Sequence, residues 1–312
     1  MKTFVPAYYP LFHCLMNRCR HSCCVGWEID IDENTYQKYA ALDADGADIC
    51  SHIEKGESGA HIVLSTGLRC PFLTEEGLCR LIINHGEDVL SEICADHPRF
   101  RSFFTGITEI GLGMTCEAAA KIILSEKDPF SLVLLSDNGE TEEEPDEYEE
   151  EILRLRDRLF MIAQDRSKPI DVRLHEIMKE AGADDFDFHE LILYLKTLER
   201  LDDRWLDLLT EIQEDDAAYL PINPSLSIPL EQFLSYMIFR HIPEALDTGD
   251  ENGAILLSAF LTVLFITLIN RRAKNGLPTE EDDLTDIARM ISSEIEYSDE
   301  NIFLLTEKLH SL

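Results

Sequence analysis

Nine cysteines carry the chemistry of this sequence, and all of them (Cys14, Cys19, Cys23, Cys24, Cys50, Cys70, Cys79, Cys94 and Cys116) fall within the first 116 of 312 residues. Eight form three blocks. The first is Cys14-x4-Cys19-x3-Cys23-Cys24, followed by Val25-Gly26-Trp27; the second is Cys70-Pro71-Phe72-Leu73 with Cys79 nine residues on; the third is Cys94-Ala95-Asp96-His97-Pro98-Arg99, with Cys116 beyond it. Thiolates are soft ligands, and four of them hold a tetrahedral zinc ion or an iron–sulfur cluster. Met1 to Pro10 contains Pro6 and Pro10 and no apolar run, so it does not read as a signal peptide, and the expected compartment is the cytoplasm. Thiols stay reduced there, which favours metal ligation over disulfides.

The candidate ligands are Cys19, Cys23, Cys24, Cys70, Cys79, Cys94 and Cys116. Cys14 extends the first block, whereas Cys50 lies outside every block and reads as an ordinary buried thiol. Zinc ribbons usually present C-x2-C pairs, and this region has none. Adjacent Cys23 and Cys24 cannot easily serve one small ion together, so the spacing leans towards an iron–sulfur centre, a 4Fe–4S cluster first, with zinc as the alternative metal. The C-x3-C-x2-C run of radical enzymes is nearly met, but Gly26 stands at its last position. Gly111-x-Gly113 likewise lacks a third glycine, because Cys116 stands there, so a dinucleotide-type fold is not indicated.

The elements that must position these residues are mixed at first and helical later. Asp32 caps a helix to about Leu42, and Ala47 to Lys55 reads as a second short one. His61 to Ser65 and Arg101 to Thr108 read as strands, Glu87 to Ala95 as a helix, and Thr115 caps another over 117–126. Residues 137–151 hold ten carboxylates with Gly139 and Pro145, a composition that reads as a linker. Helical patterns then cover about 149–164, 170–181, 187–214, 230–241, 250–274, 279–296 and 299–310. The expected fold is therefore α+β and mostly α: a small cysteine-rich metal-binding module at 1–126, an acidic linker at 127–150 and an acidic helical domain at 151–312. Ala254 to Ile269 is uncharged for sixteen residues, slightly short for a membrane span, and reads as a buried core helix.

Net charge is −34, and most of it lies after residue 125, where 17 Lys and Arg face 44 Asp and Glu. Nucleic-acid binding rests on cations that displace phosphate counterions, so this balance excludes DNA and RNA as natural partners and suits lysine-bearing proteins.

In order and spacing the blocks resemble the flagellin lysine-N-methylase family. The resemblance runs through Cys19-x3-Cys23-Cys24-x-Gly26-Trp27, Ile31-Asp32, Tyr36, Cys70 to Leu73, Leu78 to Leu81, Gly86, Leu90, Cys94, Pro98-Arg99 and Cys116 to Ala119, about residues 12–122. The chain departs from the family at Thr115, where a serine is expected, and at His97, where an aromatic is usual. The same cysteine pattern is similar to that of small zinc- or iron-chelating proteins. The family resemblance implies a methyltransferase that moves a methyl group from S-adenosylmethionine to lysines of flagellin or another lysine-bearing protein, with an iron–sulfur cluster on the cysteines. Arg99, a guanidinium beside a cysteine block, could then hold the carboxylate of S-adenosylmethionine; its ordinary alternative is a bond to loop carbonyls. Asp96, Glu117, Tyr36 and His97 are candidate bases, without one singled out. The competing function is a zinc or iron–sulfur protein without methyl transfer, serving interaction or electron transfer.

Overall fold

A computed structural model describes residues 1–27, 29–56, 59–139, 144–212 and 223–311. The strands are β1 (Lys2–Pro6), β2 (Asp30–Ile31), β3 (Ile53–Gly56), β4 (Gly59–Ile62), β5 (Arg99–Phe104), β6 (Ile107–Leu112) and β7 (Leu132–Asp137). The α-helices are α1 (Glu33–Ala44), α2 (Arg80–His85), α3 (Glu92–Asp96), α4 (Glu117–Ser125), α5 (Glu147–Ala163), α6 (Ile170–Glu180), α7 (Phe188–Leu195), α8 (Asp203–Glu211), α9 (Ser227–His241), α10 (Ala245–Thr248), α11 (Glu251–Lys274), α12 (Glu281–Ile291) and α13 (Asp299–His310). The protein is thus α+β and mostly α.

The chain forms two compact units, His13–Arg99 and a larger one built from Met1–Phe12 with Phe100–Leu312. This differs from a boundary at residue 126. Residues 100–126 belong to the larger unit because Ala119, Ala120, Ile123 and Leu124 of α4 are buried in its core, against α9 and α12. Residues 132–137, expected in an acidic linker, form β7, which pairs antiparallel with β1; residues 140–143 of that segment lie outside the described residues.

In the larger unit the sheet order is β5-β6-β1-β7, with β1 parallel to β6 (Lys2 opposite Ile107). The single strand expected at 101–108 is in fact two, divided at Gly106, whose φ of +73° the turn requires. Around the sheet the helices gather on α11. Every residue from Gly253 to Ile269 of α11 is buried, as befits a helix apolar on all sides. It is long and apolar enough to cross a membrane, and 94% of its apolar window is buried inside the fold. Phe265 of α11 stacks on Phe233 of α9 with centroids 4.2 Å apart.

Charges inside this core are paired. Glu231, fully buried, accepts from Arg173 at 2.7 Å and from Arg166 at 2.8 Å. Arg156 grips Glu109 with two bonds of 2.6 and 2.8 Å. The helix expected at 187–214 breaks into α7 and α8, and residues 213–214 lie outside the described residues. The break has a cause: the Glu294 carboxylate takes the N–H groups of Leu201 and Asp202 at 2.8 and 3.0 Å, and Asp202 caps the new helix. The run expected at 279–296 starts instead from a Glu280–Asp283 capping box and ends in a π-turn over Ser292–Glu296, which aims Glu296 inward at Arg240 and His241.

The smaller unit has little regular structure. Its sheet is β2-β4-β3, all antiparallel. Asp32 caps α1 as expected, its carboxylate accepting from Thr35 N–H at 2.9 Å. The helix expected at 47–55 is a short 3-10 turn followed by β3, because the Asp43 carboxylate already holds the N–H groups of Ile49 and Cys50. The helix expected over 87–95 is a 3-10 turn, a break at Leu90 and the five-residue α3.

Candidate metal centre

Backbone pairing inside the smaller unit brings the cysteine blocks together. Cys70 N–H donates to Cys24 O at 2.8 Å, Gly26 N–H donates to Leu68 O at 2.8 Å, and Val25 bridges Arg69, so the first block lies alongside the second. A tight turn closes the second: Leu73 bridges Cys79, and Thr74 N–H donates to Leu78 O at 2.8 Å. Cys94 arrives on α3. Cys70, buried, joins a core of Ile29, Ile31, Tyr39, Ile49, Ile62, Phe72 and Leu81, and Cys24, Cys79 and Cys94 pack against that same core.

The electrostatics place these four thiols in one environment. Burial lifts the Cys70 thiol to about 12, and Cys24, Cys94 and Cys79 add to the rise. Burial also raises Cys94, helped by Cys24 and Cys79 and opposed by Ser91. Cys24 runs the other way, to about 6, because the Cys23 thiol donates to it, with smaller help from Ser22 and the Arg69 charge against the cost of burial. One member of the group is thus ready to be a thiolate at neutral pH. Ionising all four would collect four negative charges in one core, which a multivalent cation would offset.

Among the described residues, no three His, Cys, Asp or Glu side chains close on a point that could hold one metal ion. A zinc ion with bonds of about 2.3 Å draws its sulfurs to within about 3.8 Å of each other, so this arrangement does not match a preformed zinc site. The side chain of buried Ser91 stands beside the Cys94 thiol and opposes the rise that burial imposes on it.

The remaining candidate ligands lie outside that core. Cys23 is exposed next to Cys24, and Cys19 is half-buried with its thiol on His21 O at 3.2 Å. Cys14 is exposed. Cys116 belongs to the larger unit, where it precedes the first turn of α4 in the capping position and its charge raises the Tyr297 phenol. Thr115, expected to cap that helix, instead faces Ser293 Oγ at 3.2 Å. Cys50 faces Asp43 and is pushed up to about 11, chiefly by burial, which keeps it a thiol.

Of the expected bases, His97 is held near 4, chiefly by burial and then by the Arg99 charge, so its imidazole is neutral and a weak proton acceptor. Glu117 is buried in the first turn of α4. Lys55 sits 3.5 Å over the Tyr36 ring. Arg99 donates from Nη1 to Asp96 O at 3.3 Å, the loop-carbonyl contact that was its ordinary alternative. Asp96 lines, with Asp30, Asp32, Glu92 and Ile93, an open recess of about 290 Å³. That is below the roughly 300–1,000 Å³ of small-molecule pockets, and its carboxylates suit a cation. Two residues were not legible as part of this centre: Tyr39, a buried phenol raised by burial and by Cys94, Cys79 and Cys70, and Ser91. The serine three residues before Cys94 was the available signal.

No family model matches the chain, and no solved structure matches it. Curated relatives do. Proteins named Lysine-N-methylase from Salmonella typhimurium and Salmonella choleraesuis are each 31% identical over 134 residues, 41% of this chain, and the chain spans only about a third (33%) of their length. The flagellar biosynthetic protein FliU of Salmonella muenchen is also 31% identical over 134 residues, here across 79% of its own length. With that coverage, the chain belongs to the family of FliU and the lysine-N-methylases.

Proposed function

We propose that the protein is a lysine N-methyltransferase acting on flagellin, with S-adenosylmethionine as methyl donor and an iron–sulfur cluster held by Cys24, Cys70, Cys79 and Cys94, with Cys23 and Cys19 as further candidate ligands. The observation that carries the methylase reading is the kinship with proteins named Lysine-N-methylase. The cluster reading is supported by Cys24, Cys70, Cys79 and Cys94, which come from all three blocks and which one small core gathers together with Cys50. When bound, a cluster there supplies a buried one-electron couple.

The chain's own residues must do the rest. A lysine of pKa about 10.4 has to lose its proton before its nitrogen can take a methyl group, at a cost of roughly 4–5 kcal/mol at neutral pH. The carboxylate recess at Asp30, Asp32, Glu92 and Asp96 supports capture of an ammonium ion, yet it also strengthens the charged form. Capture and deprotonation therefore call for different groups. Arg99 is the residue for the donor's carboxylate, as a guanidinium next to Asp96.

The test is reconstitution. Protein purified without air should be brown and contain iron and sulfide, and with S-adenosylmethionine it should add single methylene masses to lysines of the cognate flagellin. Metallated protein that leaves flagellin unmodified sinks the methylase reading, and stoichiometric zinc without iron sinks the cluster.

A further inference from the structure

Strand β7 is an edge of the larger unit's sheet and, among the described residues, pairs with β1 alone. Ser131 turns its carbonyl towards β1, accepting from Ala7 N–H at 2.9 Å, so by the alternation of an antiparallel ladder the N–H and C=O groups of Leu132 and Leu134 face outward. A bulge at Leu135 closes the regular edge at Leu134. The side chains are as open as the backbone. Val133, Leu134 and Leu135 are 41%, 53% and 52% exposed, and because successive residues point to opposite faces, the strand is uncovered on both. Native edges are ordinarily blunted by charge or cover, so a bare apolar one marks a place for another strand. One end of that edge is acidic. β7 finishes at Asp137 opposite Lys2, and Lys2 N–H donates to Gly106 O, in the turn between β5 and β6. At that same end of the sheet the Glu149 carboxylate accepts from Thr105 N–H at 2.8 Å, which brings in the start of α5 with exposed Glu147, Glu150 and Glu151. Lys2 offsets only part of this charge, since residues 137–151 hold ten carboxylates.

We propose that β7 docks a short, extended, apolar segment of the protein substrate as an added strand, with flanking lysines of that segment held at the Asp137 end by the carboxylates that open α5. The inference rests on the lysine-methylase reading for the choice of lysine. The docked backbone pairs with the outward groups of Leu132 and Leu134, its apolar side chains cover Val133 and Leu134, and its ammonium groups meet negative charge. A second copy of the chain fits this surface less well, because each copy carries a net charge of −34 and would add its own acidic run to the interface.

The experiment measures binding to the full chain, without methyl donor, of a synthetic peptide that alternates valine with threonine and ends in three lysines, beside a version that ends in three glutamates. The lysine-ended peptide should bind about tenfold more tightly at low salt, and the difference should shrink as salt screens it. Leu134→Pro removes one outward N–H, a loss that an edge strand tolerates, and should weaken binding about tenfold with the thermal melt unchanged. Should that form unfold, the double form Val133→Thr with Leu134→Thr, which keeps β propensity, should show the same loss. Equal binding of the two peptides, or of the wild-type and altered chains, overturns the proposal. So does a wild-type chain that sediments as a dimer and becomes monomeric on Leu134→Pro, since a second copy is then the occupant. Peptide binding to a chain that leaves flagellin unmodified supports the docking strand and counts against the methylase reading alone.

Discussion

The two units of this protein solve the same problem with different materials. The larger one buries the uncharged stretch Gly253–Ile269 of α11 among helices and pairs internal charges, as in Glu231 with Arg173 and Arg166. The smaller one, His13–Arg99, has among its described residues eight buried apolar side chains, one of them a cysteine, and one helix longer than six residues. The difference teaches where the proposed metal would be structural: a core this small offsets little chain entropy, so binding at its thiols would add folding free energy there.

The comparison breaks most visibly if the metal is removed. Chelation, or Cys70→Ala, should abolish the fold of the smaller unit, since structural metal sites in small domains contribute about 10 kcal/mol or more. The larger unit should keep its cooperative helical melt. Limited proteolysis followed by mass spectrometry reads both at once, and a smaller unit that stays protected without metal contradicts the contrast.

Next in size is the paired charge. Glu231→Ala leaves Arg173, 1% exposed, without its carboxylate, and should lower stability by about 3–5 kcal/mol in denaturant unfolding while leaving metal content unchanged. A loss below 1 kcal/mol would mean that water reaches the pair.

A comparable effect, set by pH, follows from His241. Glu244 and Glu296 outweigh the burial of its imidazole and lift it from 6.5 to about 9. A raised pKa gives stability that is complete below about 6.5 and is lost as pH climbs through about 9, up to about 3 kcal/mol. Glu296 is depressed by Arg240 and His241 despite its burial, so its contribution is lost instead on acidification through the usual carboxylate range. Thermal melts across pH should therefore fall on both sides, and His241→Gln should flatten the alkaline side while weakening the acid side less, because Arg240 still faces Glu296.

Legibility in the sequence differed between the units in the same way. Caps and apolar periodicity located α1, α6, α11 and α13 to within two residues, because Asp32, Asp250 and Ser298 cap their own helices locally. Where a distant side chain decides, the pattern failed: Glu294 breaks 187–214 into α7 and α8 from about ninety residues away. The strands β1 and β7 went unread because distant partners hold them, β1 between β6 and β7 and β7 against β1. The cysteine blocks were legible as blocks, but which thiols share a core depended on the Cys24–Cys70 and Leu73–Cys79 backbone pairings, which spacing alone does not encode.

The smallest expected effect is the most discriminating within the smaller unit. Cys50 packs against the same core as Cys24, Cys79 and Cys94, so proximity to that core cannot by itself define a ligand. Its surroundings do. Cys50 N–H is held by Asp43 at 2.7 Å, and burial and that carboxylate raise its thiol to about 11, whereas Cys94, Cys79 and Cys24 are the groups that act on Cys70. A thiol facing a carboxylate resists becoming the thiolate that a metal needs. Cys50→Ala should therefore cost about 1 kcal/mol or less and leave iron per chain unchanged, while Cys79→Ala, of the same size and from the same core, should empty the site. If both substitutions remove iron, membership of the core rather than charge selects the ligands, and the four-thiol assignment has to be redrawn.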